Sequence, residues 1–168
     1  ASLSRRACGC WRVDANRRSI ALFGMSASES DFGPAFEHVV ARAIAGVSTV
    51  ANLKRLSGGA SQETWSFDGM GPAGTTPLIL RRAPGGKVVP RSGNAVTLAT
   101  EAKVIRLAKD CGVPVPSVPY VLTDSDNLGP GYIMGRAEGE TIARKILRDA
   151  EDAAARPILA RQSGRILA

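Results

Sequence analysis

The sequence of 168 residues contains few aromatic residues and no long hydrophobic run. Phe, Trp and Tyr make up only 5% of it, so a hydrophobic core has to be mainly aliphatic, which the 44% share of hydrophobic residues permits. No apolar stretch reaches the length that a membrane-spanning helix needs. We therefore expect a soluble protein with no membrane partner.

Cysteine and histidine are too rare for a disulfide framework or a zinc site. Cys8 and Cys10 lie together near the start and Cys111 is isolated, and an odd, scattered set of this kind indicates a reducing compartment. Cys8-Gly9-Cys10 supplies at most half of a tetrahedral zinc site, and His38 is the only histidine. We expect a cytoplasmic protein without a bound structural metal.

Acidic residues are nearly absent from residues 1–24, where five arginines accompany Asp14 alone. Much of the net charge of +7 is therefore confined to this stretch. An Arg-rich leader on a mildly basic domain does not require a nucleic-acid partner, and no RNA- or DNA-binding motif is present. We expect residues 1–24 to be a disordered leader. It is either a transit peptide or, as we favour, a stretch upstream of a true start at Met25.

Glycine and proline are abundant, with 18 and 10 residues, which is typical of a loop-rich mixed fold rather than a helical bundle. Hydrophobic periodicity predicts two helices, at 34–46 and about 95–110. It predicts strands at 49–56, 62–68, 78–82, 118–123 and 131–137, with loops at 69–77 and 83–94. The prolines of 113–119 exclude a central strand there. From residue 139 we expect two helical segments that meet near Pro157.

A glycine-rich segment, Ser57-Gly58-Gly59-Ala60-Ser61, joins the first two predicted strands into a hairpin. Backbone amides in such a loop can approach a phosphate closely and donate hydrogen bonds to its oxygens. The same residues also fit an ordinary hairpin turn. They do not form a Walker A loop, because no Lys-Ser or Lys-Thr follows them.

Two charged residues flank the third predicted strand. Arg81 ends the apolar run at 78–82, and Arg82 would point to the opposite face because side chains alternate along a strand. Glu101 lies in the next helix, where its carboxylate can pair with the guanidinium of Arg81 and fix its direction. Each residue alone is equally compatible with a solvated surface charge. Further on, the strand 131–137 breaks at small residues and can offer backbone groups to an adenine edge.

The order of these features resembles the small lobe of a protein-kinase-like fold. The segments RLSGGASQETWSF, LILRRAP, EAKVIRLAKDCGVPVPSV and GYIMGRAEGETI are similar to the start of the aminoglycoside phosphotransferase and choline kinase-like superfamily. The segments GETIARKILRD and LARQSGRILA resemble, more specifically, the phosphotransferase-like domains fused to some acyl-CoA dehydrogenases. The resemblance covers residues 47–168.

The resemblance implies an α+β fold with two parts. Residues 25–138 would form a kinase-like N-terminal lobe, a five-stranded antiparallel sheet with one packed helix. Residues 139–168 would form a linker and the first helices of a truncated C-terminal lobe. ATP and Mg²⁺ are the implied cofactors, and a nucleotide, a small-molecule substrate and the missing lobe are the implied partners.

The resemblance also assigns a role to individual residues. The glycine-rich segment would cover the phosphates, Arg81 would contact the α- and β-phosphates, and Glu101 would be its ion-pair partner. Gly135 and Ala137 would offer backbone groups to the adenine, with Ile133 and Met134 beside its pocket. The nucleotide-binding residues implied are Ser57, Gly58, Gly59, Ala60, Ser61, Arg81, Glu101, Met134, Gly135 and Ala137.

The chain departs from the family at the catalytic loop. The family's His-Gly-Asp…Asn pattern, which carries the base, and the later magnesium-binding Asp are not found in the sequence. The resemblance therefore implies no catalytic residue and no metal ligand here, and we predict no phosphoryl transfer by this chain alone. The parent protein would phosphorylate a hydroxyl of an aminoglycoside-like or hydroxyacyl compound. A non-catalytic nucleotide-binding or interaction module and a basic nucleic-acid binder remain as alternatives.

Overall fold

The computed structural model describes residues 32–57, 62–87 and 96–167. The leader predicted at 1–24 lies outside the described residues, as do Gly58 to Ser61 of the glycine-rich segment. Among the described residues, no helix is long and apolar enough to span a bilayer.

Five strands form one antiparallel sheet in the order β1-β2-β3-β5-β4. The α+β fold class predicted from the sequence is therefore confirmed. The strands are β1 (Thr49–Leu56), β2 (Glu63–Gly71), β3 (Gly74–Arg82), β4 (Tyr120–Val121) and β5 (Gly131–Gly135).

Helix α1, Phe32–Ala43, covers one face of the sheet. Its buried residues recur at helical spacing, and Phe36, Val39 and Val40 pack into a core with β2, β3 and β5. Gly46, three residues beyond the end of the helix at Ala43 and with a φ of 81°, lets the chain reverse into β1. The helix begins two residues before the predicted 34–46 segment, because Phe32 is itself buried in this core.

Helix α2, Leu98–Asp110, covers the opposite face. The side chain of Thr97 caps its start by accepting a hydrogen bond from the backbone N–H of Thr100 at 3.2 Å. This cap explains why the helix begins later than the predicted residue 95. Leu98 and Ala102 pack against Tyr132 of β5. The sheet therefore carries two packed helices, one on each face, and not the single packed helix expected.

The prediction of a loop at 69–77 is wrong, because β2 and β3 continue through most of this segment. Gly71 pairs with Gly74, so Pro72 and Ala73 alone make the turn. Once the strands are in register, each added residue pair contributes ladder hydrogen bonds, which outweighs the low strand propensity of glycine and proline.

Strands β4 and β5 are shorter than the predicted 118–123 and 131–137. β4 keeps only two residues, and Pro119 before it has no N–H to donate to a ladder. β5 ends at Gly135, where the chain leaves the sheet. As predicted, the segment 113–119 does not form a strand.

Two further helices follow the sheet, α3 (Ala143–Arg148) and α4 (Arg156–Leu167). The predicted start at residue 139 is four residues too early. The predicted break near Pro157 is present, with Pro157 in the first turn of α4, where its missing N–H costs nothing. Arg156 joins the two helices by donating to the carbonyl of Ile146 at 2.8 Å.

Candidate functional site

One row of paired residues crosses the whole sheet at the end that carries the glycine-rich segment. Residues that pair directly on neighbouring strands point to the same face, and these point to the α2 face. The row consists of Leu56, Thr64, Arg81, Tyr132 and Val121, in the order of the strands.

The ion pair predicted between Arg81 and Glu101 is present on this face. Nη2 of Arg81 lies 3.3 Å from Oε1 of Glu101, and the two side chains are 37% and 32% exposed. Glu101 stands in the first turn of α2, which Thr97 caps, so the cap sets where the carboxylate meets the sheet. Because a third of each side chain remains open, the guanidinium is accessible to a ligand.

The guanidinium of Arg81 is not saturated with partners. Its Nε is buried and makes no hydrogen bond to any part of the chain that the structure describes. Glu101 therefore anchors one end of the planar group and leaves donors unused. An arginine held in this way is suited to binding an anion.

Arg82 points to the opposite face, as strand alternation predicts. It is buried, donates to Glu63 at 2.8 Å from Nε, and lies over the ring of Phe32 at 3.9 Å. Glu63 also accepts from the backbone N–H of Gly85 at 3.0 Å. Burial alone would raise the pKa of Glu63, but the hydrogen bonds from Gly85 and Arg82 outweigh it and hold that pKa below its usual value. Arg82 therefore stabilises the core beneath α1. Of the two arginines, only Arg81 faces α2.

The glycine-rich segment starts in the same row of the sheet as Arg81, two strands away. Leu56, the last residue of β1, pairs with Thr64, which in turn pairs with Arg81. Neighbouring strands lie about 4.8 Å apart, so β1 ends roughly 10 Å from the backbone of Arg81. Ser57 follows immediately and is exposed. The remaining residues of the segment, Gly58 to Ser61, lie outside the described residues.

A second row lies next to the first on the same face, two residues along each strand. It contains Lys54, Ser66, Ile79 and Met134. Ile79 is buried and Met134 is half-buried, so this part of the face is apolar, whereas the neighbouring row carries the ion pair. Met134 therefore lies on the same face as Arg81, and its place beside an adenine pocket stays a prediction.

Ile133 does not share this face with Met134, whereas the sequence predicted both residues beside the adenine pocket. It is fully buried in the core beneath α1, together with Leu80. Strand alternation explains this, since neighbours on β5 must point to opposite sides.

The end of β5 offers less backbone than the sequence predicted. The N–H of Gly135 already donates to the carbonyl of Ser117 at 2.9 Å, so this residue can offer only its carbonyl group to a ligand. Ala137 is exposed, and its backbone makes no hydrogen bond to a described residue. A contribution of both residues to a nucleotide site stays a prediction.

Arg136, between them, is a charged residue of this face that sequence reasoning missed. Its Nη1 donates to Oγ of Ser66 at 2.9 Å, and its Nη2 lies 2.9 Å from Oδ1 of Asp68. A hydrogen bond from Asn52 lowers the pKa of Asp68, and Arg136 lowers it further against the opposing effect of burial. The side chain of Arg136 therefore closes the apolar row at the side away from Arg81.

Tyr132 is the second residue that sequence reasoning missed. It is 1% exposed, and its phenol O–H donates to Oε1 of Glu101 at 3.0 Å. Burial, and then this contact with Glu101, raises the pKa of Tyr132 to about 12. Alternation along GYIMG could have found it, because it puts Tyr132 and Met134 on the same face.

The face can bind an anion next to an apolar surface. Within residues 32–57, 62–87 and 96–167, no three His, Cys, Asp or Glu side chains come together as a metal site would require. The chemistry that the described residues support is therefore the binding of a negatively charged group by Arg81, with an apolar ligand portion over Ile79 and Met134.

Comparison with known proteins gave one family. The model of the APH family, described as the phosphotransferase enzyme family, matches residues 52–168. This range contains the five-stranded sheet almost entirely and every candidate site residue. Neither the curated proteins nor the solved structures gave a match.

Proposed function

Because this chain belongs to the phosphotransferase enzyme family, we propose that it forms the ATP-binding part of an enzyme that phosphorylates a hydroxyl group of a small molecule. The observation that carries this proposal is the ion pair between Arg81 and Glu101, which lies in the sheet row where the glycine-rich hairpin ends. Family membership supports phosphoryl transfer, and the ion pair supports a place for the phosphates.

The phosphates would lie between Arg81 and the glycine-rich segment. Arg81 is a cation whose side chain is about one third exposed and whose donors are not all used. The hairpin would bring backbone N–H groups over its guanidinium. Both features favour a group with several negatively charged oxygens. The contact with Glu101 restrains the guanidinium, so less of its side-chain freedom is lost when the nucleotide binds.

The adenine would lie over the apolar row. Rows on one face of a strand are spaced by about 6.6–6.8 Å, so a planar base on Ile79 and Met134 would place its ribose and phosphates toward Arg81. The carbonyl of Gly135 and the backbone of Ala137 stand at the end of this row and would meet the edge of the base. Arg136, held by Ser66 and Asp68, would border the base on its other side.

The protein ligands of Mg²⁺ and the catalytic base would be residues outside this chain. Mg²⁺ neutralises charge on the transferred phosphoryl group and prefers oxygen ligands, several of which the phosphates themselves supply. The described residues contain no acidic cluster for it, and the sequence has no His-Gly-Asp…Asn pattern. We therefore propose that Arg81 binds and orients the nucleotide, whereas the parent protein's remaining residues perform the proton transfer.

The acceptor substrate is a small alcohol, either aminoglycoside-like or a hydroxyacyl compound. A hydroxyacyl acceptor is the choice that the resemblance of GETIARKILRD and LARQSGRILA to domains fused to acyl-CoA dehydrogenases would imply. The competing proposal is a nucleotide-binding or interaction module without catalysis. Phosphorylation of a hydroxyacyl compound by the parent protein would decide between them.

The proposed function predicts that Arg81→Ala weakens ATP binding by about 10-fold or more, because a charge-assisted contact to phosphate is worth roughly 1.5–3 kcal/mol. Isothermal titration calorimetry of the 168-residue chain with Mg-ATP measures the change. The control is Arg161→Ala, which removes the same charge from an exposed position on α4.

Equal ATP affinity of the unaltered chain and Arg81→Ala would contradict the proposal. So would an equal loss in Arg161→Ala, because it would indicate a nonspecific effect of net charge. A salt-sensitive affinity for DNA that persists after removal of residues 1–24 would instead favour the nucleic-acid alternative.

A further inference from the structure

One oxygen of the Glu101 carboxylate contacts both a hydrogen-bond donor and an ion-pair partner. Oε1 accepts from the phenol of Tyr132 at 3.0 Å and lies 3.3 Å from Nη2 of Arg81. Tyr132 and Arg81 are direct partners on β5 and β3, so all three groups meet at one point of the sheet.

The ion pair alone would not fix the direction of Arg81. Both side chains are long and about one third exposed, and partly exposed ion pairs contribute only about 0–1 kcal/mol because water and side-chain entropy compete with them. Glu101 therefore needs a second anchor if it is to hold the guanidinium in one place.

Tyr132 is a rigid donor at this position. Its ring is enclosed between the sheet and α2, in contact with Leu98 and Ala102. Burial and the neighbouring carboxylate raise the pKa of Tyr132 to about 12, so the phenol stays protonated and donates its hydrogen bond at any physiological pH.

We propose that Tyr132 is a positioning residue of the nucleotide site, whose phenol O–H holds the carboxylate of Glu101 and thereby directs Arg81 at the phosphates. This inference rests on the proposed function. It assigns a role to Tyr132 beyond packing, since a phenylalanine would fill the same space without the hydrogen bond.

The only other tyrosine provides a matched control. Tyr120 also donates to a carboxylate, that of Asp126, at 3.0 Å. That pair lies on the α1 side of the sheet and touches neither Arg81 nor Glu101. Tyr120→Phe and Tyr132→Phe therefore remove the same hydroxyl and the same kind of hydrogen bond, and only the second change lies at the candidate site.

The test compares ligands that differ in their phosphates. Calorimetry measures the affinity of the 168-residue chain for Mg-ATP, ADP and adenosine. Tyr132→Phe should weaken ATP and ADP binding by about 3- to 10-fold, as the loss of one oriented contact predicts. It should leave adenosine binding unchanged, because adenosine does not reach Arg81. Tyr120→Phe should leave all three affinities unchanged.

A double variant separates positioning from general damage. In the Arg81→Ala background, Tyr132→Phe should cause no further loss of ATP affinity, because the group that Tyr132 directs is gone. A further loss of similar size, or an equal loss for adenosine, would show that Tyr132 only supports the fold and would overturn the inference.

The results also separate this inference from the proposed function. If Arg81→Ala weakens ATP binding and Tyr132→Phe does not, Tyr132 has no positioning role while the nucleotide site stands. If Arg81→Ala has no effect, the proposed function itself fails.

A measurement on the unaltered chain decides the matter if Tyr132→Phe does not fold. With ATP bound, the hydroxyl proton of Tyr132 should be protected from solvent exchange and should show a nuclear Overhauser effect to Glu101. Loss of that contact on ATP binding would overturn the inference.

Discussion

At the residue scale, the buried carboxylate of Asp126 joins α1 to the turn before β5. It accepts hydrogen bonds from the backbone N–H of Thr123 at 2.7 Å and from the hydroxyl of Tyr120, and it pairs with Arg42 of α1. Burial alone would raise the pKa of Asp126, but the bonds from Thr123, Tyr120 and Arg42 together hold it below the usual value.

We predict that Asp126→Asn lowers the free energy of unfolding by about 1–3 kcal/mol at neutral pH, because one of the two acceptor oxygens becomes an NH2 group and the negative charge that pairs with Arg42 is lost. A folded-state pKa below the unfolded value contributes stability above about pH 4, and this contribution is lost as the pH falls through the folded pKa. Urea unfolding of both proteins at neutral and acidic pH measures the difference. It should shrink on acidification, and a constant difference would contradict the ionic role.

The same residue scale explains why two adjacent arginines differ. Arg81 and Arg82 have the same chemistry, and alternation alone sends one to α2 and the other into the α1 core. That division was predictable from the sequence. The partners were only half predictable: Glu101 followed from the family resemblance, whereas Tyr132 and Glu63 depend on strand register.

At the scale of elements, glycines let the β2–β3 hairpin pass close to the chain between α1 and β1. A Cβ added at Gly71 would lie 1.7 Å from the carbonyl oxygen of Gly46, and one at Gly69 would lie 2.9 Å from Val47. The backbone N–H of Ser48 donates to the carbonyl of Met70 at 2.7 Å in the same region. Gly69 and Gly71 therefore leave the space that Gly46 and Val47 occupy.

We predict that Gly71→Ala lowers the free energy of unfolding by about 1–3 kcal/mol, because the added methyl group forces backbone apart. Gly33→Ala is the control, since a Cβ there has nothing within 4 Å and the residue lies in α1. The control should be neutral or slightly stabilising, as helix propensity suggests. Thermal or urea unfolding measures both, and equal stability of the two variants would contradict the close approach.

At the scale of the whole molecule, the segment beyond the sheet exposes apolar side chains. Ile142, Leu147, Leu159 and Ile166 are all exposed. Val104 and Leu107 form a second exposed apolar pair on the outer side of α2. Contiguous exposed apolar surface favours association, and in this chain it is divided between the last two helices and α2.

We predict that the 168-residue chain binds a hydrophobic dye and self-associates, and that replacing Leu147, Leu159 and Ile166 with serine reduces both. The hydrophobic gain from covering these side chains disappears with them. Dye fluorescence and analytical ultracentrifugation measure the two effects. The control replaces Val104 and Leu107 with serine. A larger effect in the control would place the association surface on α2, and a stable monomer without dye binding would contradict the prediction.

Local patterns in the sequence determined a mixed fold of helices and strands, the two helices on either side of β1–β3, the hairpin and the separation of Arg81 from Arg82. These features depend on residues within a few positions of one another, where periodicity, capping and alternation act. Register and cross-sheet contacts decided the rest. The predicted loop at 69–77 became strand because ladder pairing outweighs propensity, and Ile133 lies in the core beneath α1 because neighbouring residues of β5 point to opposite faces.

The sequence by itself therefore determined which elements form and which residue types the candidate site contains. Only the tertiary structure decided that Tyr132 and Arg81 converge on one oxygen of Glu101, and that Arg136 crosses to Ser66 and Asp68. Such contacts join residues far apart in the chain, and a shift of one residue in strand register would turn each side chain to the other face.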